Sequence, residues 1–460
     1  MESTLPKTIE ELKSSNYVYR PVKDEIRHNL INKLSKGEKV FPGIHGFEKT
    51  VIPQIQTAIL SGQDMILLGE RGQAKSKIIR ELVNLLDPLI PVIENCDIND
   101  HPLNPICKRC KELVKSDVGK TGISWLARED RFSEKLATPD VSVSDMIGDI
   151  DPIKITEGRY LGDELAIHYG MIPRANRGIF CINEIPDLTE RIQVSLFNIM
   201  QERDVQIKGY QLRLPIDIFL VSTANPEDYT NRGRIITPLK DRYGAQIRTH
   251  YPTNVEEELI IVKQEYKKFA DSEERVSVPD FMARIVGEIT HLARNNPEIN
   301  QRSGVSLRVT IANYESMISS AFMRSITSGE KTHVNMRDLK ALIPSTVGKI
   351  EVESVEENQE VRIIEEIINR AVLNVFTKMF STGRLDDTLQ PFESGTSINV
   401  GNSITESEFL QACRAIPSLV EICQNAVGNS NPGTLASIIE LVLEGLYLSG
   451  KISKSNNIYS

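Results

Sequence analysis

Apolar residues change period several times along the chain, and each change predicts an element. Met65 to Leu68 is an unbroken apolar run of strand length, and apolar residues at helical spacing follow it: Ile78, Ile79, Leu82, Val83 and Leu86. Pro88 to Ile93, Ile179 to Ile182 and Ile216 to Thr223 read as further buried strands. Upstream, Thr8-Ile-Glu-Glu11 has the form of a capping box, and Val22, Ile26, Leu30 and Leu34 recur every four residues as one helix face. Gly43 and Gly46 mark a loop before a helical stretch that contains Pro53. From Val255 onward the helical period dominates. Phe281, Ile285, Ile289 and Leu292 share a face behind Pro279, another helix follows Arg308, and a third spans roughly 336–343. The acidic stretch 351–366 reads as a helix with Ile363, Ile364, Ile367 and Ile368 on its packing side. Gln390 to Ser403 has linker composition, and Thr405-Glu-Ser-Glu408 caps a final pair of helices ending near Leu448. Strands alternating with helices, then helices alone, predict an α/β domain on a parallel sheet followed by helical domains.

Composition narrows the class without choosing a function. The chain has 460 residues, 40% hydrophobic and 25% charged, enough for two or three domains. Its 54 basic and 63 acidic side chains leave a net charge of −9, and no basic block favours nucleic acid. No apolar run reaches membrane-spanning length, and the first residues, MESTLPKTIEELKS, lack the apolar centre of a signal peptide. Six cysteines in a chain of this size do not make a disulfide scaffold, so a cytoplasmic protein is expected.

The strongest local chemistry lies between the first strand and its helix. Gly69-Glu70-Arg71-Gly72-Gln73-Ala74-Lys75-Ser76-Lys77 has the layout of a phosphate-binding loop. Backbone N–H groups of such a loop face phosphate oxygens, and the positive end of the next helix faces the same oxygens. Lys75 is placed to reach the β- and γ-phosphates, and the Ser76 hydroxyl to ligate Mg²⁺. Ala74 stands where glycine is usual, a departure the loop accepts if that residue keeps a negative φ. A second strand, Ile179-Phe-Cys-Ile182, ends on Asn183-Glu184. Glu184 is the candidate base, and Asn183 can hold Mg²⁺ only through a bound water, having given up a unit charge. Cys181 reads as core. The strand ending at Thr223 leads to Asn225, an amide able to hold the attacking water, and Leu239-Lys-Asp-Arg242 presents an arginine after a turn. Ile44-His-Gly46 leads into the loop and is placed to border an adenine.

A different chemistry interrupts the α/β pattern. Cys96, His101, Cys107 and Cys110 fall within fifteen residues, and Cys107-x-x-Cys110 is a chelating pair suited to tetrahedral Zn²⁺. An iron–sulfur cluster with His101 as fourth ligand fits the same residues, as do reduced cysteines packed beneath a loop. From about 138 to 170 the chain carries seven acidic residues among turn formers, the character of a mobile, solvated insertion that reports nucleotide state.

In the order GERGQAKS, ANRGIFCINE, VSTANPED and LKDRYG, the chain resembles the AAA+ ATPase subunit I of magnesium chelatase and its cobalt-chelatase relatives. The resemblance spans about residues 40–350 and is strongest from Arg174 to Gly244. It implies a P-loop AAA+ core, a parallel sheet between helices, with a helical lid and a C-terminal helical extension. The expected boundaries are 1–40 for an N-terminal helical segment, 41–252 for the core, 253–350 for the lid and 351–460 for the accessory region. It also implies roles: Lys75 and Ser76 as Walker A contacts, Asn183 and Glu184 as the Walker B pair, and Asn225 as sensor 1. Arg242 becomes a finger reaching a neighbouring subunit, and Arg308, in Ser303-Gly-Val-Ser-Leu-Arg308, the sensor-2 arginine of the lid. Val141 to Gly170 resembles the family's helical insertion.

The function implied is an ATP- and Mg²⁺-dependent ring ATPase, a hexamer in the family, that remodels a partner or drives metal insertion. Family rings pair with a von Willebrand A-type partner, and since no Asp-x-Ser-x-Ser motif occurs here, that partner is expected to be a separate protein. The second reading is a nucleotide-gated assembly scaffold with little turnover, suggested by Asn183. A sigma-54 activator is disfavoured because the chain lacks the GAFTGA loop and a basic C-terminal helix-turn-helix.

Overall fold

The apolar runs of the first half become the strands of one parallel sheet: β1 (Met65–Leu68), β2 (Phe132–Leu136), β3 (Gly178–Asn183), β4 (Ile218–Ala224) and β5 (Ala245–Arg248). Their order is β5-β1-β4-β3-β2. β4 is thus inserted between the strand that leads into the phosphate loop and the strand that ends on Asn183, with Met65 opposite Val221 and Ile218 opposite Gly178. All residues of β3 and β4 are buried, which accounts for their continuous apolar sequences. The computed structural model describes residues 5–116, 119–156, 164–206, 213–225, 234–301, 304–352, 359–380, 385–401, 404–428 and 431–460. Pro226, Ser303, residues 207–212 and parts of the insertion (157–163), acidic stretch (353–358) and linker (402–403) lie outside the described residues.

Alternation along the strands divides the first unit, Met1–His250, into two apolar layers. Met65, Leu67, Ile179, Cys181, Phe219 and Val221 face helices carrying Val22, Ile26, Ile55 and Ile78. Ile66, Phe180, Ile182 and Leu220 face the other layer, with Ile192, Leu196 and Leu239. Leu34, read as part of the first helix face, is 41% exposed at the end of Val22–Ser35. Thr8 caps Ile9–Ser14 by accepting from the Glu11 N–H, but the Glu11 carboxylate turns to the Lys7 N–H, so the reciprocal half of the box is not made.

Two expectations change. Pro88 to Ile93 is a strand, Leu89–Ile93, but it pairs antiparallel with Ile123–Ala127 outside the main sheet. The insertion, expected to be helical, is mixed in the described residues: Gly148–Ile150 pairs antiparallel with Ile167–Tyr169, accompanied by single helical turns. Its turn residues and short apolar runs cannot sustain a long helix.

A buried ion pair fixes the entry to β2. Arg131 donates from both terminal nitrogens to Glu25, at 2.7 and 2.6 Å, and from Nε to the Arg177 carbonyl at 2.8 Å. Glu25 also accepts from the Asp87 N–H at 2.6 Å.

The second unit, Tyr251–Ser460, is mainly helical, with long helices Asp280–Ala293, Leu307–Ser328, Gln359–Met379 and Pro432–Leu448. Ile363, Ile364, Ile367 and Ile368 are buried as the pattern required. The stretch from 336 begins as a 3-10 helix, Met336–Ala341, and the final helical pair is three helices, Glu406–Cys413, Pro417–Val427 and Pro432–Leu448. Glu440 lies at the wall of a cavity of about 330 Å³ and accepts from Arg337 Nη2 at 3.0 Å. Desolvation by complete burial raises its pKa from the usual 4.5 to about 7, against the opposing pull of Arg337 and Arg324. A raised folded-state value favours folding below pH 4.5 and loses that contribution as pH climbs through 7. Denaturant unfolding at pH 5 and pH 8 should therefore show Glu440→Gln gaining on wild type by up to about 3 kcal/mol at the higher pH.

Candidate nucleotide site and cysteine cluster

Because β1, β4 and β3 are adjacent and parallel, the residues after their carboxyl ends meet at one edge of the sheet, where open α/β sheets bind ligands. The loop after β1 is Gly69 to Ala74, and it runs into α1 (Lys75–Glu81). Gly69 has no room for a side chain: an added Cβ would lie 1.9 Å from Thr249 Oγ1 and 2.3 Å from Gln73 Oε1. Gln73 Oε1 accepts from the Glu70 N–H at 3.1 Å and from Thr249 Oγ1 at 2.7 Å, which ties the loop to the residue following β5. Gly72 is left-handed with φ 76°. Ala74 is also left-handed, with φ 54°, which corrects the expectation of a negative φ there. The chain must turn sharply to start α1, and the turn holds Ala74 in a conformation that costs a side-chain-bearing residue about 1 kcal/mol. Arg71 is exposed, while Ser76 and Lys77 are half-buried in the first turn of α1. Beside the loop is a cleft of about 460 Å³ lined by Gly69, Gln73, Arg248 and Thr249.

Lys75 is buried, and its ammonium is held by the carbonyls of Gly69 and Glu70 and by Asn225 Oδ1, the last two at 2.8 and 2.7 Å. Asn225 Nδ2 in turn donates to Glu184 Oε2 at 2.6 Å. Glu184 has φ 60°, an outlier for a side-chain-bearing residue, and its N–H donates to Thr223 Oγ1 at 3.0 Å. The Thr223 hydroxyl donates to Asn183 Oδ1 at 3.2 Å, and Asn183 Nδ2 donates to the Glu134 carboxylate. Glu134 is clamped by Arg80 of α1 through two bonds of 3.0 and 3.1 Å. A single polar row therefore links Lys75, Asn225, Glu184, Thr223, Asn183 and Glu134.

Glu134 is a site residue the sequence did not reveal. It lies in β2, Phe-Ser-Glu-Lys-Leu, a half-buried edge strand without the apolar run that marks the others. Arg242 is not brought to this row. Its guanidinium lies 4.3 Å from the Phe197 ring centroid and donates to the Pro238 carbonyl and to Gln201 Oε1. Arg308 belongs to the second unit, exposed in the first turn of Leu307–Ser328.

The cysteine loop also gathers, with one change of membership. Donor atoms of Cys96, Asp100, Cys107 and Cys110 all lie within 4.8 Å of one another. His101 is not in this group, contrary to the sequence reading. Its Nδ1 accepts from the Leu103 N–H at 3.1 Å, and its ring packs against Tyr17 and Tyr19 at 6.0 and 4.4 Å. Burial, with Arg177 nearby, lowers its pKa to about 3, so the ring is neutral. Asp100, its neighbour in sequence, points the other way. Hydrogen bonds from Cys107 and Cys110 lower the pKa of the Cys96 thiol, and that of the Cys107 thiol is raised by its bonds to Cys110 and Cys96.

A family profile for the Sigma-54 interaction domain matches residues 155–239, the segment that carries β3 and β4. The magnesium-chelatase 38 kDa subunit of Cereibacter sphaeroides is 29% identical over 235 residues, 48% of this chain and 62% of its own length. The chain thus spans about three fifths of that relative. The magnesium-chelatase subunit ChlI of Chlorella vulgaris is 25% identical over 365 residues, covering 72% of this chain and 96% of the subunit. A structure of the BchI–BchD complex of magnesium chelatase, built on a cryo-EM reconstruction, aligns at 22% identity and a TM-score of 0.36, over 71% of this chain and 98% of that one. No described helix is long and apolar enough to cross a membrane. The chain thus combines a five-stranded parallel sheet and a loop and helix after β1 with a sequence similar to the I subunits of magnesium chelatase.

Proposed function

We propose that the chain binds ATP with Mg²⁺ at the loop after β1, hydrolyses it, and uses the cycle to remodel a separate partner protein or drive metal insertion on it. The observation that carries this reading is the continuous row Lys75, Asn225, Glu184 across the carboxyl ends of three adjacent strands. The loop amides and Lys75 bind the triphosphate, and the bare Gly69 lets Gln73 and Thr249 close on the loop and hold its shape. Glu184 Oε2 takes a proton from the attacking water, and Asn225 orients that water. Ser76 and, through water, Asn183 hold Mg²⁺, which supplies charge neutralisation at the phosphate oxygens when bound. Arg242 acts as the finger in a neighbouring subunit of a hexameric ring and Arg308 as a lid sensor. These last roles and the von Willebrand A-type partner rest on the resemblance alone.

Asn183 favours a second reading, a scaffold that assembles on ATP with little turnover, because both ends of its amide are engaged within the protein. Glu134 bears on the choice, since its carboxylate lies against Asn183 and brings a negative charge, shared with Arg80, to the place where that position has none. Steady-state phosphate release against Mg²⁺ concentration tests both. Turnover by wild type sustains the first reading, and ATP-dependent assembly without phosphate release sustains the second. Glu134→Gln is expected to raise the Mg²⁺ requirement about tenfold, the effect of ~1.4 kcal/mol of lost attraction to a divalent ion. Adding Asn183→Asp in that background should restore it, while Asn183→Asp alone sets two carboxylates side by side and should bring no such gain.

A further inference from the structure

We propose that Cys96, Asp100, Cys107 and Cys110 hold one zinc ion that fastens the 94–110 loop to the turn preceding β3. The four donors come from three directions. Cys96 follows Leu89–Ile93, Asp100 lies at the far side of the loop, and Cys107 and Cys110 flank the start of the helix Lys108–Ser116. Their mutual distances, within 4.8 Å, are close to the roughly 3.8 Å that tetrahedral Zn–S bonds of about 2.3 Å require. Such convergence leaves space for one ion and none for a cluster with its own bridging sulfides, which separates zinc from iron–sulfur.

Two further observations point to a cation. Asp100 is fully buried, and although its Oδ2 accepts from the Cys107 N–H at 3.0 Å, its Oδ1 has no hydrogen-bond partner. A buried carboxylate oxygen left unpaired beside three thiols is costly, and a divalent ion removes the cost. In addition, the Asp100 N–H donates to Cys96 Sγ at 3.3 Å and the Cys110 N–H to Cys107 Sγ at 3.4 Å, so backbone donors are already aimed at sulfur. Such bonds orient ligands and stabilise thiolates in the shell around a metal.

The loop's outer face shows what the ion would secure. Asn176 Nδ2 donates to the Ile98 carbonyl at 2.9 Å, and Asn99 Nδ2 donates to the Arg174 carbonyl at 2.9 Å. Arg177, buried ahead of β3, donates to the Pro91 carbonyl at 2.7 Å. On the other side, the Lys108 N–H donates to Glu164 Oε1 at 2.7 Å, and the Tyr169 hydroxyl donates to the same oxygen. The loop therefore joins the turn before β3 to the insertion.

The test is metal analysis of the full chain purified under reducing conditions, with bound zinc, iron and acid-labile sulfide measured together. One zinc per chain, no iron, and three additional thiols reacting with a thiol reagent after chelation are expected, for Cys96, Cys107 and Cys110. Asp100→Ala should weaken zinc retention at least tenfold in competition with a chromogenic chelator, whereas His101→Ala should retain it as wild type does. Absence of metal from wild type even after zinc is supplied would overturn the proposal, as would iron with sulfide. Zinc that survives Asp100→Ala and is lost with His101→Ala would overturn the assignment of the fourth ligand.

Discussion

Lys75→Ala is expected to weaken ATP binding about 100-fold, and Glu184→Gln to bind ATP normally yet hydrolyse it about 10²–10⁴-fold more slowly. The two residues are links of one hydrogen-bonded row, and the row predicts different losses at its two ends. Removing Lys75 deletes a cation that is already desolvated and held by three oxygens, so charge-assisted bonds to phosphate worth ~3 kcal/mol in total are lost, about 100-fold in affinity. Glu184→Gln keeps an acceptor oxygen for the Asn225 amide and preserves the shape of the site, while removing the proton acceptor. Titration with a fluorescent ATP analogue and single-turnover phosphate release separate the outcomes. If Glu184→Gln hydrolysed ATP at the wild-type rate, the base would lie elsewhere.

The largest effect on stability is expected at Arg131. With side chains 1% and 4% exposed, Arg131 and Glu25 form a bidentate pair out of solvent. Arg131→Leu leaves Glu25 charged and buried, at a cost of about 3–5 kcal/mol, and Glu25→Leu strands Arg131 at a similar cost. The double variant Glu25→Leu/Arg131→Leu should be far less damaged than the sum, within about 2 kcal/mol of wild type, because both desolvation penalties disappear together. Urea unfolding of the four proteins measures this cycle. An additive result would show that the pair contributes packing and no ionic coupling.

The candidate site was legible wherever chemistry coincided with an apolar run. Buried strands β1, β3 and β4 announce their ends, so Lys75, Glu184 and Asn225 can be placed from spacing alone. β2 is an edge strand of alternating composition, which hides Glu134, because burial on one side leaves a pattern that short loops share. The choice of Asp100 over His101 was illegible for a different reason. Adjacent residues diverge in direction, and only the packing of His101 on Tyr17 and Tyr19 settles which one turns toward the cysteines. The left-handed Ala74 belongs to the same class: φ is set by where the loop must deliver α1, which no side chain encodes.

Lys75 donates to Asn225 Oδ1, and under the proposed roles that is the oxygen needed for water. A phosphate that drew the ammonium toward itself would uncover Oδ1 while leaving Nδ2 on Glu184. On that reading one side chain serves as both trigger and safety catch, tying water activation to the presence of its target.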